Sequence, residues 1–68
     1  MLAAGWLLGS PAVGRAEASA RAEARARFER GLRSFDARDY PGALAEFRRA
    51  HELAPNATVL YNILQVYA

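Results

Sequence analysis

From residue 17 onward, apolar positions recur every three or four residues. Ala24, Phe28, Leu32 and Phe35 form one narrow stripe, a spacing that places them on a single face of a helix. Alanine, arginine and glutamate fill the positions between, and all three are good or acceptable helix formers. The helix weakens at Asp36-Ala37-Arg38 and ends before Asp39, whose carboxylate can cap the next one. Tyr40 and Pro41 open that second helix, where a missing N–H costs little. It runs to about Ala54, with Leu44, Phe47 and Leu53 facing inward beside Ala43 and Ala50. Pro55 stops it, and Asn56 caps a third helix with Leu60, Ile63, Leu64 and Tyr67 as its inward face. The pattern therefore predicts an all-α fold. The sequence reaches Ala68 inside the third helix without a stop signal, and we expect the helical array to continue.

The small residues sharpen this picture. A helix that needed only an apolar face would carry Leu or Ile at positions 43 and 50, where this chain has alanine. Two antiparallel helices joined by the short turn at 37–39 must pack face to face. Ala43 and Ala50, with Gly31 on the first helix, allow close backbone approach while Phe47 fills the space between.

These residues resemble the tetratricopeptide repeat, a helix–turn–helix unit of roughly 34 residues. Ala43-x3-Phe47, Ala50 and Pro55 match the second helix of that pattern. Gly31 stands at the expected distance before them, and Asp39-Tyr40 is typical of the family's turn. A second repeat begins near Ala57, where Leu60-x2-Ile63-Leu64-x2-Tyr67 follows the same spacing. The departures are Arg27 and Arg30, where the family has Trp and Leu, and Leu64, where a small residue is usual. The resemblance covers residues 24–68 and implies a helical hairpin over 17–56 plus the first helix of a second repeat over 57–68, together a piece of an α-solenoid. Such repeats cannot bury their faces singly, and about three are normally needed. Residues 17–68 alone are therefore expected to be marginally stable, with fraying at both ends.

Composition and charge exclude more than they assign. The chain has 68 residues and no cysteine, which removes thiol chemistry, disulfides and cysteine-based zinc sites. All nine basic residues are arginine and sixteen residues are alanine, a bias associated with GC-rich bacterial genomes. The formal charge is only +2 despite a pI near 9.7. Glu17–Arg21, Glu23–Arg27 and Glu29–Arg33 lie at i,i+4 in the favourable helical orientation, so the charges read as a solvated helix face. A nucleic-acid surface needs an uncompensated basic stripe, and none is present.

The first sixteen residues differ from the rest. Leu2 to Leu8 is an apolar run followed by Gly9, Ser10 and Pro11, which should break it, and then by small residues suited to cleavage. The run fits an export signal and is shorter than the roughly 20 residues of a membrane span. No basic residue lies between Met1 and the run, so we expect either a true start further upstream or a clipped signal. An uncleaved anchor and a flexible arm are the alternatives. An export signal implies a periplasmic or secreted protein, whose mature part begins near Glu17 with eight arginines against seven acids.

In the resembled family, the first helices of successive repeats line a concave groove that holds peptides or protein segments. Asn62 lies where relatives place an asparagine that bonds a bound backbone, and an amide can both donate and accept. Phe28, Leu32 and Phe35 serve either as groove anchors or as core, while Arg25 and Asp36 stand at the groove rim or on a solvated face. The family's basic clamp for a terminal carboxylate is not supported, because the corresponding sites hold Phe28 and Leu32. His51 is the only histidine and has no partner at metal-ligand or dyad spacing. Without a phosphate loop, nucleophile elbow or paired catalytic carboxylates, the sequence points away from an enzyme, and no cofactor is implied. The leading expectation is a protein-binding scaffold of the bacterial cell envelope. The alternatives are an accessory module positioning a longer protein or enzyme, and a small self-associating hairpin.

Overall fold

The computed structural model describes the backbone of residues 2–68 and the side chains of residues 14–68. Three helices follow in order, α1 (Leu2–Asp36), α2 (Tyr40–Leu53) and α3 (Ala57–Tyr67), with no strand among the described residues. The expected helix start at Glu17 is not a boundary. The α1 helix passes Gly9, Ser10 and Pro11 without a break, although proline can donate no i→i−4 bond. The side chains of the expected export segment lie outside the described residues, apart from Gly14, Arg15 and Ala16.

Local chemistry sets the two turns. The α1 helix closes with the N–H of Asp39 bonded to the carbonyl of Ser34 at 2.8 Å and the N–H of Arg38 to that of Phe35 at 2.9 Å, the paired bonds of a Schellman motif. Arg38 takes the left-handed position, with φ 64°, where glycine is normally favoured. Replacing Arg38 with glycine should therefore raise stability by about 0.5–1 kcal/mol, seen as a higher thermal midpoint. The Asp39 carboxylate then caps α2 by accepting from the N–H of Gly42 at 3.0 Å. A Cβ on residue 42 would collide with that carboxylate, so the glycine is part of the cap. At the second turn Ala54 is extended (φ −150°, ψ 93°), as a residue before proline must be. Asn56 caps α3 by accepting from the N–H groups of Thr58 (2.8 Å) and Val59 (3.3 Å). The His51 Nδ1 accepts from the N–H of Asn56 at 3.3 Å, tying the end of α2 to the turn.

The core is thin and made largely of small residues. Among the described residues Ala24, Ala43, Phe47, Ala50 and Val59 are its buried members, and Phe47 is the one large side chain fully enclosed. Gly31 is buried directly against the Phe47 ring, so the two helices approach through glycine and alanine with one aromatic between them. Phe28 lies 5.5 Å from Phe47 in a tilted ring pair. Phe35 meets Tyr40 edge-on at 5.4 Å across the first turn. Such pairs contribute about 0.5–1.5 kcal/mol beyond their area. Leu44 and Leu53 are half-buried, and Leu32, expected in the core stripe, is mostly at the surface.

Polar contacts add a second layer that the local spacing only partly anticipates. Glu17–Arg21 and Glu23–Arg27 each close to 3.9 Å, whereas Glu29 and Arg33 form no ion pair. Arg27 reaches across to Glu46 of α2 at 3.1 Å, and both side chains are half-buried or better. A double-mutant cycle on Arg27→Ala and Glu46→Ala should return a coupling near 1 kcal/mol, at the upper end for partly exposed pairs. A coupling indistinguishable from zero would show that the bridge contributes nothing.

The third helix corrects the sequence expectation most clearly. Leu60, Leu64 and Tyr67, expected to face inward, are 47%, 60% and 62% exposed. Ile63 packs against the core as expected, and its companions there are Val59 and Val66. Its polar residues, Thr58, Asn62 and Gln65, form one narrow stripe, and the remaining apolar arc is wide enough for two ridges, so periodicity alone does not select one. The position of α2 does. Tyr67 is held at the surface, where its hydroxyl accepts from Arg48 Nη2 at 2.6 Å.

Candidate functional site

The α1 helix outreaches its partner. By helical rise its 35 residues span about 52 Å against about 21 Å for α2. The α2 helix covers only the C-terminal part of α1, and residues 14–19 are exposed. The α3 helix packs on α2 and hardly meets α1. Where the turn at 54–56 brings the start of α3 opposite α1, the separation leaves a cleft of about 420 Å³, within the range of ligand-binding sites.

Three parts of the fold line it. The α1 helix contributes Arg21, Ala24, Arg25 and Phe28, spaced so that all four share one face. Ala54, Pro55 and Asn56 come from the turn, and Thr58 and Val59 from the first turn of α3. Ala24 and Val59 are buried, Phe28 is half-buried, and the two arginines are exposed. The result is an apolar floor with cations at the rim.

Of the residues expected at a partner site, Arg25 and Phe28 line this cleft, while Leu32, Asp36 and Asn62 do not. Leu32 and Asp36 lie one and two turns further along α1. Asn62 is half-buried on α3 and its amide donates to the carbonyl of Thr58 at 2.8 Å, so a donor expected to serve a bound backbone serves its own helix. Sequence reasoning passed over Arg21, Ala24, Thr58 and Val59. The i−4 relation of Arg21 to Arg25 was visible, but the contribution of α3 depends on which of its ridges turns inward.

The packing residues of the repeat pattern divide similarly. Gly31, Ala43, Phe47 and Ala50 meet at the α1–α2 contact. Pro55 stands in the wall of the cleft, Ile63 is half-buried against the core, and Leu60 and Tyr67 face solvent. No helix among the described residues is long and apolar enough to cross a membrane. Comparison of the chain with family models, with curated proteins and with solved structures returns no match.

Proposed function

We propose that this chain is a protein-interaction module of the tetratricopeptide type, exported to the cell envelope, that holds a segment of another protein between α1 and α3. The observation that carries this reading is the cleft itself. Its apolar floor of Ala24, Phe28 and Val59 lies beside exposed cations, the combination by which a groove fixes one side chain and orients its neighbours. The close Gly31–Phe47 contact supports the family assignment, because it is the packing that the Gly, Ala-x3-Phe pattern exists to make.

Peptides selected from a displayed library on the full chain test this reading, followed by mapping of amide shifts in NMR spectra. Shifts concentrated on Ala24, Arg25, Phe28, Thr58 and Val59 are expected. No binder below about 1 mM, or shifts confined to the outer face of α3, would count against the reading. Export is tested separately by a C-terminal reporter that is active only outside the cytoplasm, and the expected result is activity.

A second reading has its own observation. Leu60, Tyr61, Leu64 and Tyr67 form an exposed row on α3, and the helix carries no charged residue, so two copies can face each other there without repulsion. Sedimentation at rising concentration decides between them, since a monomer at every concentration excludes self-association.

A further inference from the structure

The cleft between α1 and α3 is electrostatically one-sided. Arg21 and Arg25 stand one turn apart at its rim, and no aspartate or glutamate lines it. Like charges at i,i+4 repel one another, and little on the molecule offsets these two. Glu17 approaches Arg21 only to 3.9 Å, with both side chains about two-thirds exposed (65% and 64%). Arg25 forms no ion pair, although Glu29 lies one turn away. Arg27, by contrast, holds both Glu23 and Glu46. On the opposite wall the N–H groups of Thr58 and Val59 are occupied by the Asn56 side chain. The positive character of the mouth therefore rests on the two arginines.

We propose that the segment held in this cleft carries an acidic side chain next to an apolar one. This rests on the groove reading above and assigns its ligand class. The apolar group lies on Ala24, Phe28 and Val59, and the carboxylate bridges Arg21 and Arg25. The arginines are exposed while the floor is buried, so the rim is met by a side chain reaching outward as its neighbour points down. A chain terminus is the poorer fit, because the next positions along this face of α1, Phe28 and Leu32, supply no further donor.

Fluorescence anisotropy with three labelled eight-residue peptides, both ends blocked, tests the assignment on the full chain. Each has a central leucine, flanked by glutamates in the first, glutamines in the second and lysines in the third. The glutamate peptide should bind about tenfold tighter than the glutamine peptide at low salt, and the lysine peptide most weakly. The gap should narrow at high salt, as expected for exposed charges. Arg25→Gln should weaken the glutamate peptide by up to about fivefold and the glutamine peptide by less. Arg21→Glu combined with Arg25→Glu should reverse the order in favour of lysine. Both positions are exposed, and an unchanged circular dichroism spectrum verifies that the variants fold. Equal binding of the glutamate and glutamine peptides would overturn the charge assignment while leaving the groove. Failure of all three to bind would overturn the groove reading itself.

Discussion

Phe47→Ala should weaken or abolish the cooperative unfolding of the hairpin. Phe47 is the one large side chain that is fully buried, at 1% exposure, and the rest of the core is alanine and valine. Truncating a buried phenylalanine costs about 3–5 kcal/mol, because the lost transfer energy is joined by the cavity left behind. At about 0.05–0.15 kcal/mol per residue a chain of this length holds only about 3–10 kcal/mol in total. The substitution therefore removes a third of the stability at least and all of it at most. Alanine at 43 and 50, already fully buried, cannot move in to fill the space without drawing the helices together. The loss should be read from the far-UV circular dichroism signal at 222 nm during heating, where a broad, shallow decline replaces the sigmoid. Phe47→Leu keeps most of the volume and should retain a transition at a lower midpoint. A normal transition in Phe47→Ala would mean that the α1–α2 contact is not what holds the helices.

The second large effect comes from adding an atom rather than removing one. A Cβ at position 31 would stand 2.5 Å from Phe47 Cδ1, closer still to Cε1 and 3.1 Å from Cζ. These are ring atoms of a side chain only 1% exposed that also packs against the Phe28 ring, so the ring has little room to yield. Overpacking of this kind costs about 1–3 kcal/mol. Helix propensity works the other way, since alanine is favoured over glycine inside a helix by about 1 kcal/mol. Gly31→Ala should therefore be destabilising by up to about 2 kcal/mol despite its better propensity. Gly31→Val, with a branched Cβ, should unfold the hairpin.

The sharper test is a suppressor. Phe47→Leu removes the ring edge that the new Cβ would strike, so Gly31→Ala should cost less in that background than in the wild-type one. Additive costs in the double variant, or a stabilised single variant, would show that the helices are further apart than described.

Much of this architecture is legible one residue at a time, because the interactions that specify it are local. Asp39 and Asn56 act as caps on N–H groups two or three positions away, which is the reach of their own side chains. Ala54 is extended because of the proline beside it. The end of α1 and the α1–α2 contact through Gly31, Ala43, Phe47 and Ala50 follow from small residues at helical spacing on either side of a short turn. The start of α1 did not follow. Gly9, Ser10 and Pro11 are individually poor in a helix, yet the assigned helix runs through them.

What the sequence by itself determined, then, is the all-α class, the two turns and their caps, and the small-residue seam on which the hairpin closes. Tertiary structure alone decided which ridge of α3 is buried. Val59, Ile63 and Val66 form one apolar row and Leu60, Leu64 and Tyr67 another, and nothing within the helix ranks them until α2 occupies one side. That choice also put Thr58 and Val59 opposite Arg21 and Arg25 and paired Arg48 with Tyr67, while the α1–α2 contact paired Arg27 with Glu46, each pair 19 residues apart. Helical periodicity records only the angle of a residue about its own axis. A cleft or an interhelical bridge requires the placement of a second axis.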